Sequence, residues 1–348
     1  MATISLSTRF RGLRFQKLFG KIMALFLLTV GSLLVMLPLV WMLSTSLKTD
    51  DNAVVFPPEW IPRENLKVDI DGKPRFVYNV PINGEMRQLA FLGKKVFVNP
   101  SNPTEQYTID TPVAKLQKVS YVSIHWENYF SGLTKNVPFF SYMGNTLIIV
   151  FWSTVGVLIS CILVAYGFSR FRAPWIDILF LILLSTIMLP AQVTLIPTFV
   201  LFQKLGWYDT YLPLIVPAFF ANAWDVFLLR QFFMTVPLEL DDAAKIDGAG
   251  PLGVLWHILL PQAWPAVATV SIFHILYAWN DFFGPLIYLQ SQSKWTVAIG
   301  LQSYQAMYSR QLASMMSAAT VTMLPCLIIF FIAQRLFIQG VVVSGIKG

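Results

Sequence analysis

Asp242-Ala243-Ala244-Lys245-Ile246-Asp247-Gly248, then nine residues, then Ile258-Leu259-Leu260-Pro261, make up a polar interval between two long apolar runs. Pro237 stands where a helix can start, because the first N–H groups of a helix need no intrahelical partner. Glu239, Asp241 and Asp242 crowd the first turns and Lys245 follows, which suits the helix dipole. Gly248 and the Gly250-Pro251 pair then end the helix and turn the chain. Ala243 and Ala244 leave a flat small-residue face able to enter a groove. An ordinary surface helix-turn-helix is the plain reading. An interval of this length between apolar runs is also what a docking partner would need.

The flanking runs set the class of the molecule. The 348 residues are 56% hydrophobic and only 12% charged, and mean hydropathy is +0.62. A soluble core cannot hide that much apolar surface, because single cores stop growing at about 250–300 residues. Runs of about twenty apolar residues, long enough to cross a bilayer, are predicted at 22–46, 141–168, 174–202, 211–233, 263–289 and 314–337. Arg9, Arg11, Arg14, Lys17 and Lys21 precede the first run with no acid among them, and Arg170 and Arg172 follow the second. Threading six spans puts these groups and the Asp242 interval on one side, and lysine and arginine excess marks the cytoplasm. Both termini are therefore expected in the cytoplasm, with residues 1–21 a basic N-terminus and 339–348 a C-terminal tail. The net charge of +7 is largely this topology signal. A nucleic-acid site in the N-terminus is set aside because the first span follows directly. That span is too long for a cleaved signal peptide. Cys161 and Cys326 each fall inside a span and read as small apolar fillers.

Residues 47–140 are expected outside the cytoplasm. Within them, about 63–125 reads as β-structure. Arg75-Phe76-Val77-Tyr78-Asn79-Val80 is a strand candidate, and Asn83-Gly84 suits a tight hairpin turn. Gln88-Leu89-Ala90-Phe91-Leu92, Gly93-Lys94 and Lys95-Val96-Phe97-Val98 read as a second hairpin, with Gln106-Tyr107-Thr108-Ile109 a further strand.

The opening motif resembles the EAA loop of ABC-importer permeases: an acidic residue, Ala-Ala, three residues, Gly, nine residues, then Ile-x-Leu-Pro, with Asp242 in place of the usual Glu. The stretch from Val236 to Ala249 is similar to the carbohydrate-importer branch. Ala165-Tyr166-Gly167-Phe168-Ser169-Arg170-Phe171, Met188-Leu189-Pro190 with Ile196-Pro197, and the tail from Gln334 resemble other parts of that family. The joints Phe56-Pro57-Pro58-Glu59-Trp60 and Trp126-Glu127-Asn128-Tyr129 nearly abut in typical relatives, so 63–125 looks like an insertion, either a packing cap or a docking element. The resemblance implies an all-α polytopic membrane protein with six transmembrane helices and the type I importer permease fold. Residues 141–338 would be the permease core, with the coupling loop at 234–262. It implies a second permease subunit, an ABC ATPase dimer and an extracytoplasmic solute-binding protein as partners in a lipid bilayer. Glu239, Asp242, Ala243, Ala244, Asp247, Gly248 and Pro261 would then couple the chain to the ATPase, with Pro261 restarting the chain just before the fifth span.

The sequence holds no Gly-x-x-x-x-Gly-Lys-Ser/Thr stretch, so no P-loop is present. ATP and magnesium are expected on the partner ATPase, with no cofactor on this chain. His125, His257 and His274 are too scattered for a metal site, and no nucleophile, base and orienter stand together. Catalytic residues are therefore not expected. Ionisable groups inside spans are costly and mark function. Trp279-Asn280-Asp281-Phe282-Phe283 resembles a signature of sugar importers, and Trp224 with Asp225 is a second pair. Asn280 and Asp281 can bond hydroxyls and Trp279 can stack on a sugar face, but such residues also brace neighbouring helices. A self-contained secondary transporter or channel is the alternative. Paired intramembrane charges or inverted repeats would mark it, and neither is evident.

Overall fold

The computed structural model describes residues 6–55, 58–82, 85–134, 137–307 and 311–345, with side chains from 17 onward except 191, 305–307 and 335–345. The Asn83-Gly84 turn, Phe56-Pro57 and residues 346–348 lie outside this set. The chain forms two compact units, Met1–Phe130 with Arg310–Thr320, and Ser131–Ser309 with Val321–Gly348.

The first unit begins with helix α1 (Leu6–Ser46) and a single turn, α2 (Asp50–Ala53). Strands follow at β1 (Arg63–Asn65), β2 (Lys67–Ile70), β3 (Lys73–Ile82), β4 (Glu85–Gly93), β5 (Val96–Asn99), β6 (Asn102–Thr108), β7 (Gln117–Lys118) and β8 (Ser120–Val122). The ten-residue β3 is the spine of an antiparallel sheet ordered β2-β3-β4-β5-β6, with β7 also paired to β3. Successive residues point to opposite faces, and here both faces are apolar. Val77, Ala90 and Val98 bury one side with Ile70. Tyr78, Val80, Leu89 and Phe97 bury the other, where the rings of Phe91 and Phe97 stand 5.1 Å apart. This explains why the strand candidates read as near-continuous apolar runs.

Two tight turns close the hairpins. Asp71 and Gly72 join β2 to β3 with φ of +56° and +74°, the two positive angles that a type I′ turn requires. That Asp-Gly signal is in the sequence, and with it β2 becomes legible. Lys94 and Lys95 join β4 to β5 with φ of +46° and +69°. The turn is thus one residue later than the Gly93-Lys94 reading. The two ends of the β-rich segment meet. Arg63 pairs with Val122 and Asn65 with Ser120 in a separate two-stranded ladder. Beside that ladder, the His125 N–H donates to Leu47 O at 3.0 Å. Helix α3 (Glu127–Thr134) follows. There Asn128 Nδ2 donates to the carbonyls of Ser46 and Lys48, both at 2.8 Å, satisfying groups left open at the end of α1.

The second unit is helical. Its elements are α4 (Phe139–Arg170), α5 (Ile176–Ser185), α6 (Ala191–Lys204), α7 (Leu212–Ile215), α8 (Ala223–Phe233), α9 (Leu238–Ile246), α10 (Pro251–Val254), α11 (Leu260–Gln262), α12 (Trp264–Asn280), α13 (Phe283–Tyr288) and α14 (Val297–Met307). Helix α15 (Leu312–Gly345) ends the chain. The core gathers Val157, Cys161 and Ala165 of α4 with Val226, Leu229 and Phe233 of α8 and Val267 and Val270 of α12.

Among the described residues, four helical segments are long and apolar enough to cross a membrane: Lys17–Ser46, Phe139–Arg170, Leu212–Phe233 and Leu312–Gln334. Two further candidates are helix pairs bent by more than 40°, Ile176–Met188 with Gln192–Lys204 and Pro251–Gln262 with Trp264–Asn280. The count is six if each bent pair is one span. The outward side chains of Leu25, Leu28, Leu33 and Val35 are largely exposed on α1, a surface that only lipid or protein can cover.

The helices depart from the sequence reading at three places. The stretch expected as one helix over 211–233 breaks at Ala221, whose φ is +50°. The stretch expected over 263–289 breaks after Asn280, and α13 starts afresh. Pro261 does not restart the chain ahead of that span. It lies in α11, directly after a π-helical turn at Leu255–Leu259, while Pro265 occupies the first turn of α12.

Candidate functional site

Two places in the helical unit bring sequence-predicted polar residues together. The first is the interval around α9. Pro237 precedes the helix, and Glu239 and Asp241 lie in its first turn. At its other end the Gly248 N–H donates to Lys245 O at 3.0 Å and the Ala249 N–H to Ala244 O at 2.9 Å. Gly248 has φ of +85°. Together these bonds are a Schellman cap, in which a left-handed residue just past the helix turns the chain. A Cβ on Gly248 would meet nothing within 4 Å. Glycine is needed there for backbone angle and not for space.

The acidic and small residues of the interval have different fates. Asp242 is exposed and pairs with Lys245 at 2.9 Å, which holds the Lys245 ammonium above its ordinary pKa. Ala243 is exposed and Ala244 is buried, so the two alanines do not form one face. Glu239, Asp247 and Pro261 are exposed, and Ile246 projects with 87% of its surface open. Asp241, unremarkable in the sequence, is buried. Its Oδ2 lies 2.8 Å from Arg170 Nε, with side-chain exposures of only 4% and 5%. Arg170 Nη2 also donates to Val236 O at 2.9 Å, and the Tyr166 hydroxyl donates to Pro251 O at 2.9 Å. The last turn of α4 therefore grips the interval both before and after α9. Arg170 stood out in sequence only as a topology charge. Its pairing with Asp241 depends on which way α9 faces.

The second place is a cavity of about 650 Å³. Trp224, Asp225 and Asn222 line it from the start of α8, and Phe273, His274 and Tyr277 from α12. Asp281, Gly284 and Tyr288 line it from the break after α12 and from α13. Volume and mixed lining match a small-molecule site. Two sequence-predicted pairs thus share one space through Trp224, Asp225 and Asp281. The other two predicted residues do not line it. Trp279 is buried and its Nε1 donates to Thr322 O at 3.2 Å. Asn280 Nδ2 donates to Leu276 O of its own helix at 2.7 Å.

The breaks in the helices place the carboxyl groups. Asn222 Oδ1 accepts the Asp225 N–H at 2.9 Å, and Asn222 Nδ2 donates to Asp225 Oδ2 at 2.6 Å, a reciprocal cap of the kind that starts helices. Ser160 Oγ of α4 accepts the Ala221 N–H at 3.1 Å, and Cys161 Sγ accepts the Asn222 N–H at 3.5 Å. Non-helical backbone at membrane depth survives only where such partners exist. Cys161 is therefore an acceptor as well as a filler. Asp281 Oδ1 accepts the Gly284 N–H at 3.1 Å. A Cβ on Gly284 would stand 2.5 Å from Asp281 Oδ2, so that glycine sets the carboxylate's position. His274 Nε2 lies 3.0 Å from Ser153 Oγ. Spacing signals for these caps are present, Asn222 three residues before Asp225 and Asp281 three before Gly284. They are hard to read inside apolar runs. No group of three His, Cys, Asp or Glu residues arranged to hold a metal occurs among the described residues.

Comparison with known proteins gives the family. Residues 153–343 match the family described as binding-protein-dependent transport system inner membrane component. The chain is 36% identical over 211 residues to an ABC transporter permease protein, ORF2, of Caldicellulosiruptor sp., covering 60% of this chain and 77% of that protein. It is 32% identical over 222 residues to the arabinooligosaccharides transport system permease protein AraQ of Halalkalibacterium halodurans, covering 64% and 79%. The crystal structure of a bacterial ABC transporter involved in the import of the acidic polysaccharide alginate is similar in fold, with a TM-score of 0.65 at 19% identity, over 96% of this chain and 99% of that one. Because the family match spans more than half of the chain, the chain belongs to the family of binding-protein-dependent transport system inner membrane components.

Proposed function

We propose that this chain is the permease subunit of an ATP-driven sugar importer in the cytoplasmic membrane. Six spans, with both bent pairs counted as single crossings, put both termini and the α9 interval in the cytoplasm. A second, non-identical permease would complete the path, an ATPase dimer would hydrolyse ATP, and an extracytoplasmic binding protein would deliver the sugar. The observation that carries the reading is the α9 interval. Its apolar tip at Ile246 and its Asp242–Lys245 pair face outward, while Asp241 and Arg170 fix its inner side to α4. Such a lever fits a partner groove and passes its movement to a membrane helix. ATP-driven closure of the ATPase pair would then rock the spans between inward- and outward-facing states. Asp242, Glu239, Asp247 and Ala243 would meet the ATPase, and Ala244, Gly248 and Pro261 would shape the lever. Trp224, Asp225 and Asp281 would face the sugar, with Trp279 and Asn280 bracing the outer end of α12.

Sugar as cargo is supported by the relatives, one an arabinooligosaccharide permease by name. The test is co-purification of the chain with its ATPase followed by Asp242→Lys. The variant should reach the membrane in normal amount, lose the ATPase and show no sugar-stimulated ATP hydrolysis. Retention of both ATPase and stimulation would remove the coupling assignment.

A further inference from the structure

We propose, on the basis of the sugar-importer reading, that the α8–α12–α13 cavity admits glycans without negative charge and turns away uronates and sugar phosphates. Its ionisable lining is Asp225, Asp281 and His274. Among the described residues, neither lysine nor arginine lines it. Two cations of the neighbouring segments, Arg230 and Lys294, are already committed. Arg230 donates from Nε to Phe168 O at 3.1 Å and lies 4.1 Å from the centre of the Phe180 ring. Lys294 is paired with Asp209 at 3.0 Å. His274 is engaged with the Ser153 hydroxyl. An anion entering this space would meet two carboxyl groups at reduced dielectric with no charged donor to offset them.

The helix ends reinforce the sign. The N-terminus of α8 is the positive pole of its dipole, but Asn222 and Asp225 already occupy it. The C-terminal, negative pole of α12 opens beside Asp281. What remains suits hydroxyl groups and sugar faces. Carboxyl oxygens and the Asn222 amide can bond hydroxyls. Trp224 and Tyr277, 55% and 72% exposed, offer rings on which a pyranose or furanose can stack. The alginate importer of similar fold takes part in the import of an acidic polysaccharide, and a shared fold does not by itself fix the cargo. The decision is local to the lining.

The test uses the permease–ATPase complex in nanodiscs without the binding protein, so that delivery does not filter the probes. Tritiated arabinotriose, maltotriose and trigalacturonate are compared by equilibrium binding. At least one neutral trisaccharide should bind tenfold or more tighter than trigalacturonate. The double variant Asp225→Asn/Asp281→Asn keeps the capping acceptors and removes the charges, and should shrink that ratio at least fivefold. Gly284→Ala, which displaces Asp281 without changing its charge, should weaken the neutral sugar and still exclude the uronate. Binding of trigalacturonate as tight as the neutral sugars by the unaltered complex overturns the proposal. A ratio unmoved by the double variant also overturns it, even with an intact complex by size-exclusion chromatography. Binding of no glycan, together with no glycan-stimulated ATP hydrolysis after the binding protein is added, instead overturns the sugar-importer reading on which the proposal rests.

Discussion

Replacing Asp241 with Ala should disconnect the α9 lever while leaving the membrane part folded. Arg170 and Asp241 are separated by 2.8 Å and are almost wholly buried. At an effective dielectric of 20 their attraction is about 6 kcal/mol, most of it offset by the desolvation of two ions. The intact pair therefore adds little net stability. Removing one partner is different, because Arg170 then stays buried without a counter-charge, at a cost of about 3–5 kcal/mol. Arg170 can escape that cost only if the interval leaves α4, which also breaks its bond to Val236 O. A cost of about 3–5 kcal/mol shifts the docking equilibrium toward the undocked state by at least about two orders of magnitude, since each 1.4 kcal/mol is a factor of about ten. Hydrogen exchange should rise by two orders of magnitude or more at the α9 amides and stay unchanged in α4 and α12. Sugar-stimulated ATP hydrolysis should fall sharply while binding-protein-independent ATP hydrolysis persists. The exchanged pair Arg170→Asp/Asp241→Arg should restore part of the coupling. Normal exchange in α9 together with normal coupling in Asp241→Ala would refute the brace.

The remaining expectations follow from single sites. Gly248→Val should lose most coupling through its φ of +85°, whereas Gly248→Asn should keep much of it, because asparagine tolerates the left-handed region and nothing lies within 4 Å of the added carbon; sugar-stimulated ATP hydrolysis distinguishes the two. Asp209 accepts bonds from the N–H groups of Gln290 and Ser291, the Ser291 hydroxyl and Lys294, and these donors, Ser291 first, hold its carboxyl well below the usual range. Its stabilisation should be complete above the unfolded carboxylate value of about 3.9 and fade only as pH falls below that value. Thermal unfolding should therefore lose this contribution only in strong acid, and Asp209→Asn should lower stability by about 1.5–3 kcal/mol at neutral pH. Lys94→Asn should stabilise the sheet by about 0.5–1 kcal/mol by relieving a lysine at φ of +46°, measured by proteolysis of the first unit. Deletion of 63–125 should leave a membrane protein that still binds its ATPase, because the β1–β8 ladder already brings the segment's ends together; loss of the ATPase would make the segment part of the core.

Much of this molecule follows from local chemistry alone. Apolar runs of membrane length are set by composition, since only helices satisfy their own backbone in lipid. The α9 interval is legible because caps, dipole charges and turn glycines act within a few residues of each other. The β-rich segment shows through its strand candidates, although β2 needed the Asp71-Gly72 turn and β1, β7 and β8 are too short to carry a pattern. Helical phase is another matter. Asp241 and Asp242 are adjacent and chemically alike, yet one is buried against Arg170 and the other is open to solvent. Only the packing of α9 on α4 decides which. The breaks at Ala221 and after Asn280 are likewise tertiary, because an unwound turn inside an apolar run holds only when a neighbour such as Ser160 or Cys161 takes up its backbone groups. Trp224 and Asp225 are far from Asp281 in the chain and meet it in one cavity through those breaks, while Trp279 and Asn280, next to Asp281 in sequence, turn to other helices or to their own. Sequence named the polar residues in the spans, and the direction each one faces came from the packed helices.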